Sequence, residues 1–303
     1  MLDKTFDPQK IIDREFEQEL FEELLQLKDP ARILAIRDAG GMGKSQLLQK
    51  FQYRCRTAER PRIPVCLVDL GQLPDQSPLS LVLQLHRELA AFLTFPSFTP
   101  LDTARRAYDF TTIRGSVNLQ EANLSGARVT AGGVVNQFDH AGSVTVQGGS
   151  AIFTPEQQEM AQARCVQAFL ADLTQHCQQQ TVVLLLDGYE HCADTLQRWL
   201  VDHLLEPYCF DLSKRPPRLL LVLAGRQITV FQQHWSAADC ERLVKSVHAL
   251  GKWTAAHVKE CLRVHGFRYN RRQLRLFCNM IEEGFTPYYV VNAMETLFSG
   301  RNR

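Results

Sequence analysis

The chain has 303 residues, 45% hydrophobic and 22% charged, enough apolar material for one large or two modest cores. Its 34 Lys and Arg residues against 33 Asp and Glu leave a formal charge of +1, so no global field draws it to nucleic acid or anionic lipid. Nine cysteines without a C-x-x-C pair argue against zinc or a disulfide framework, no apolar run approaches the ~20 residues of a membrane span, and the polar start is not a signal peptide, so a cytoplasmic setting with reduced thiols is expected.

Residues 9 to 27 carry Ile11, Ile12, Phe16, Leu20, Phe21, Leu24 and Leu25 at helical spacing among acids, which predicts an amphipathic helix. Residues 33 to 48 then read as a buried strand, a glycine-rich turn and a helix start. A polyphosphate needs backbone N–H groups aimed at it, a cation near its outer phosphates and a hydroxyl on its magnesium ion. Gly40, Gly41, Met42, Gly43, Lys44, Ser45 and Gln46 meet that need as a phosphate-binding loop, with Lys44 as the cation and Ser45 on the metal. Asp38 stands where the G-x-x-x-x-G-K-[ST] pattern has its first glycine, which leaves two readings: weak anion binding, or a carboxylate rotated away.

A second strand is predicted over Pro64 to Leu70, a helix over Ser80 to Leu93, and central strands over Thr181 to Leu186, Arg218 to Leu223 and Val247 to Leu250. Helices alternating with short apolar strands predict an α/β fold, a parallel sheet covered on both faces. From Thr254 the pattern is helical only. The expected organisation is a nucleotide-binding domain over 1–251 and a small helical lid over 252–303. A glycine-rich insert without lysine interrupts it at about 110–154. There Leu119, Leu124, Val129 and Val134 recur every fifth position, and Ala122 to Ala127 resembles one pentapeptide-repeat unit, but so few units cannot stack into a stable core alone. Two readings stay open, a hairpin or loop on its own domain, and an edge that stacks on a neighbouring chain.

A nucleotide hydrolase also needs an acidic site at the end of a central strand. Asp187 follows Leu184-Leu185-Leu186 and is the magnesium-side carboxylate or, on the plainer reading, a helix N-cap. Glu190 is the candidate base, brought back by a turn at Gly188, or a solvated first-turn acid. Arg226, after Ala224-Gly225, is a γ-phosphate sensor or a surface arginine paired to a helix acid. Pro287 starts the last helix, where its missing N–H costs nothing. The histidines have no metal-ligand spacing.

Together the segment Asp13-Arg14-Glu15-Phe16-Glu17, the loop Gly40 to Ser45, the acidic stretch Asp187 to His191, Gly225-Arg226 and the turn Gly284 to Pro287 resemble, in order, the motifs of STAND and related AAA+ ATPases. The resemblance implies a P-loop NTPase of three αβα layers with a helical lid, ATP or ADP with Mg2+ as ligands, and a nucleotide-side role for Pro287. It also implies a slowly hydrolysing signalling switch of bacterial regulatory or defence type, assembling with itself or with separate effector and sensor chains. His191 replaces a second acid, which puts hydrolysis in doubt, and 252–303 is too short for the usual sensory repeats, so a fragment or separate chains are expected. The alternatives are a loader-type AAA+ ATPase on DNA and a non-hydrolysing nucleotide-binding scaffold. For the loader, Arg242 would be a finger and Arg268, Arg271, Arg272 and Arg275 a basic face.

Overall fold

The computed structural model describes residues 11–12, 14–27, 30–57, 62–102, 117–118, 128–131, 134–137, 145–146, 155–209, 218–228 and 230–299. In chain order its elements are α1 (Glu15–Leu25), β1 (Ile33–Arg37), α2 (Lys44–Thr57), β2 (Val65–Asp69), α3 (Pro78–Leu89), β3 (Val117–Asn118), β4 (Arg128–Ala131), β5 (Val134–Gln137), β6 (Thr145–Val146) and α4 (Pro155–Gln179). There follow β7 (Val182–Asp187), α5 (Asp194–Trp199), α6 (Glu206–Cys209), β8 (Leu219–Gly225), α7 (Val230–His234), α8 (Ala237–Leu243), β9 (Val244–Val247), α9 (Ala255–Val264), α10 (Arg271–Glu282) and α11 (Pro287–Ser299). They fall into two compact units, Met1–Gln76 with Cys177–Arg303, and Ser77–His176.

The first unit is built on a five-stranded parallel sheet of order β2-β7-β8-β1-β9. Strands β1, β7 and β8 are buried nearly throughout, which is why they read as unbroken apolar runs. The chain is therefore an α/β protein, as its alternation of elements predicts. Helix α2 packs on β2, β7 and β8 through Leu47, Leu48, Phe51 and Cys55. Phe21 of α1 stacks on Phe51 with ring centroids 4.1 Å apart. One strand differs from expectation: the fifth is Val244–Val247, three residues earlier than Val247 to Leu250. As an edge strand beside β1, it exposes Ser246 and buries only Val247. Strand order brings the carboxyl ends of β1, β7 and β8 to one edge, where open α/β sheets bind ligands.

Helices α9, α10 and α11 share a core of Val258, Leu262, Phe277, Val290 and Met294, against which Ile12 also packs. Capping boxes at Thr254 and Asn270 start α9 and α10.

In the second unit, Ser77 caps α3 and Pro78 opens it. Phe95 and Phe98 pack on Phe169 of α4, and the Asp172 carboxylate accepts the N–H groups of Ser97 and Phe98 at 2.9 and 3.0 Å. Strands β4 and β5 pair antiparallel, as do β3 and β6. The β4–β5 pair is a hairpin; a pentapeptide β-helix would coil its strands in parallel. The repeat-like unit at 122–127 lies outside the described residues.

Candidate nucleotide site

The loop between β1 and α2 can fold as it does because Gly41 and Gly43 adopt φ of 78° and 90°, a region that side chains disfavour. Gly41 is also sterically committed. A Cβ there would lie 2.6 Å from the Thr286 hydroxyl and 3.3 Å from Cβ of Tyr288. The Tyr288 N–H donates to the Gly41 carbonyl at 3.1 Å, so the turn before α11 rests on the loop. Pro287 is buried at the first position of α11, between these two contacts, rather than standing free beside the loop. Beside Gly40, the guanidinium of Arg226 would be 3.2 Å from an added Cβ.

Lys44 donates to the carbonyls of Asp38 (2.7 Å) and Ala39 (2.8 Å). An ammonium has three donors, so one remains for an anion. Burial lowers the Lys44 pKa, while Glu190, Asp38 and Asp187 partly restore it.

Asp38 takes the rotated reading. Its carboxylate accepts the N–H of Ala39 at 2.6 Å and the N–H of Leu250 at 2.8 Å. It ties the start of the loop to the segment that leads into α9.

Asp187 ends β7, and its carboxylate accepts the Gly188 N–H at 2.9 Å with the Ser45 hydroxyl in its neighbourhood. Burial raises its pKa, the Ser45 hydroxyl and the Gly188 N–H lower it, and the carboxylate of Asp69 raises it again. Asp69 is its register partner on β2, and its Oδ1 accepts the Gly71 N–H at 2.9 Å. Sequence reasoning missed Asp69, although an acid closing a buried run is the signal that marked Asp187. Gly188 adopts φ 65° and turns the chain into the short helix Tyr189–His191. That turn delivers Glu190 to Arg226: Oε2 accepts the Arg226 N–H at 3.0 Å, and Oε1 lies 3.3 Å from Nε. The Glu190 side chain is 20% exposed and that of Arg226 64%, so the acid is held and the cation stays open to solvent. A Cβ at Gly225 would meet Glu190 Oε2 at 2.9 Å and Cβ of Tyr189 at 3.0 Å, so a side chain there would displace Glu190. His191 is exposed and lies against Gly71 and Gly188.

A further residue was placed by sequence in the pre-loop segment but given no part in the site. Arg14 is 4% exposed and donates to the Met42 carbonyl at 2.9 Å. Met42 thus serves through its backbone and a buried side chain, while Gln46 is exposed beside Gly43. Arg242 pairs with Asp239 on its own helix at 3.2 Å.

The structure therefore gathers Gly40, Gly41, Gly43, Lys44, Ser45, Asp187, Glu190 and Arg226 at one edge of the sheet, with the 286–288 turn over Gly41. A cradle of free loop geometry, a spare cationic donor and a hydroxyl–carboxylate pair suit a polyphosphate with a hard cation.

No family model and no curated protein matches the chain. Among solved structures, the Aeropyrum pernix ORC2 protein in its ADP form aligns with TM-score 0.55 and 10% identity, covering 97% of this chain and 64% of that one. The same protein in ADPNP–ADP complexes aligns with TM-score 0.51 and 10% identity over 97% and 63%. A DNA replication initiation factor aligns with TM-score 0.46 and 10% identity over 98% and 65%. The chain shares the ORC2 fold and spans less than two thirds of the length of these proteins.

Proposed function

We propose that this chain is a nucleotide-dependent ATPase of the AAA+ type that binds ATP or ADP with Mg2+ and acts on DNA, the loader-type setting rather than the STAND signalling switch. One observation carries the nucleotide reading: the glycine loop of 40 to 45 and the acidic end of β7 meet at one edge of the sheet, where the Ser45 hydroxyl helps to hold down the pKa of Asp187. The residues fit the group they would hold. The Thr286 hydroxyl is buried beside Gly41 with no hydrogen-bond partner among the described residues, a donor left for a ligand. The fold, shared over 97% of this chain with ORC2 in its ADP form and in ADPNP–ADP complexes, supports the nucleotide reading, and the exposed Arg268, Arg271, Arg272 and Arg275 support the DNA setting.

On this reading Ser45 and Asp187 hold Mg2+, which when bound neutralises charge on the phosphates. Lys44 and the loop N–H groups orient the triphosphate, and Arg14 keeps the Met42 peptide in place. Glu190 is the base that orients water. Both of its oxygens are engaged by Arg226, so turnover needs that pair to open, and slow hydrolysis is the expected consequence. Assembly with itself or with other chains is part of the proposal.

The test is ATP binding by calorimetry and phosphate release, each with and without duplex DNA, using Lys44→Ala as control. ATP binding lost in Lys44→Ala, with hydrolysis accelerated by DNA, is the expected result. A chain that binds no nucleotide refutes the reading outright, and hydrolysis indifferent to DNA refutes its second half. The signalling switch keeps one supporting observation, the turn at 286–288 seated on Gly41. Light scattering that shows ATP-driven assembly without DNA would favour it.

A further inference from the structure

The amino-terminal end of α10 carries a charge arrangement that the nucleotide site does not use. Arg268, Arg271, Arg272 and Arg275 lie within one short stretch that contains no acid. All four are exposed, and none makes an ion pair among the described residues. Three other surface arginines are matched: Arg54 with Glu22, Arg242 with Asp239, and Arg263 with Glu260.

The arrangement opposes folding in two ways. Like charges three and four residues apart on a helix repel each other. Cations in the first turn also face the positive end of the helix dipole. The capping box uses the Gln273 N–H and the Asn270 N–H, leaving the N–H groups of Arg271 and Arg272 without intrahelical acceptors. A row of phosphates would relieve both penalties and accept those donors.

We propose that this face is a docking surface for the sugar-phosphate backbone of duplex DNA. The proposal rests on the reading that the chain acts on DNA and supplies the surface for it. A rise of ~1.5 Å per residue offsets Arg271 from Arg275 by about 6 Å. Projected on the duplex axis, that offset covers roughly two phosphates of one strand, which rise ~3.4 Å each along it. Tyr269 is exposed next to them and can donate its hydroxyl to a phosphate. Contacts of this kind position a duplex without reading its sequence.

The experiment is titration of the full chain with a fluorescent mixed-sequence duplex across salt concentrations. Wild type is compared with Arg271→Gln/Arg275→Gln and with Arg242→Gln, on another helix. The double variant is expected to bind about tenfold more weakly, and its log–log salt slope to shrink by roughly 2, one per lost phosphate contact. Its melting midpoint should hold or rise, because repulsion is removed, whereas a misfolded variant would melt lower. Wild type and double variant binding alike, with one slope, would overturn the surface and leave the DNA reading intact. Wild type that ignores duplex DNA at low salt would overturn both. Preference for an RNA hairpin or an anionic vesicle over the duplex would also overturn the proposal.

Discussion

Restoring the glycine of the phosphate-loop pattern with Asp38→Gly separates two accounts of that residue. If its carboxylate faced the phosphates at about 5 Å, repulsion at an effective dielectric of about 20 would cost roughly 3 kcal/mol per unit charge. Removing it would then tighten ATP binding about 150-fold. The structure instead places the carboxylate on the Leu250 and Ala39 N–H groups. A hydrogen bond to a charged group contributes about 1.5–3 kcal/mol, and a glycine adds roughly 0.5–1 kcal/mol of entropic cost. Counting only the Leu250 bond in full, Asp38→Gly should destabilise the chain by about 2–4 kcal/mol. At ~2–4 °C per kcal/mol, the melting midpoint should fall by roughly 5–15 °C. ATP affinity should change by less than about threefold, since the lost charge already faces away. Scanning fluorimetry and titration with a fluorescent ATP analogue measure the two quantities on one sample. Affinity tightened a hundredfold, with an unchanged midpoint, would refute the assignment.

Arg14→Ala removes a buried charge-assisted bond to Met42, so ATP binding should weaken by about tenfold or more, for a loss of ~1.5–3 kcal/mol; unchanged affinity in calorimetry would free Arg14 of any part in the site. Glu190→Gln should keep ATP affinity and slow phosphate release by about 10²–10⁴-fold; an unchanged rate would show that Glu190 is not the base. Burial lifts the Asp187 carboxyl above its ordinary 3.8, so the folded chain binds that proton more tightly than the unfolded chain does. Stability therefore declines as pH rises from 3.8 through the raised value and stays lower above it. Asp187→Asn should flatten that decline in nucleotide-free melting curves and raise the midpoint at neutral pH. Curves that superimpose with wild type would contradict the burial penalty.

What could be read from sequence follows from what each residue faces. Strands β1, β7 and β8 are covered on both sides, so Ile33 to Ile36, Val182 to Leu186 and Leu219 to Leu223 announce themselves as apolar runs. Edge strand β9 carries Lys245 and Ser246, and its apolar signal runs on to Leu250, whose contribution is a backbone N–H to Asp38. That contact joins residues 212 apart in sequence, beyond the reach of any local pattern. Lys44 and Ser45 are legible because a helix start after glycines has a single geometry. The grip of Glu190 on Arg226 is not, because it depends on β8 lying beside β7. The Arg242–Asp239 pair, by contrast, is three residues apart on one helix and was open to view.

The two N–H ties to the phosphate loop, Leu250 to the Asp38 carboxylate and Tyr288 to the Gly41 carbonyl, bracket α9 and α10. They act as a pair of hinge pins set three residues apart in the loop. Sliding these helices would break both pins, whereas swinging them about the line between the pins breaks neither. A small displacement of Gly41 relative to Asp38 then tilts the line between the pins, and the travel it produces grows with distance along the helices.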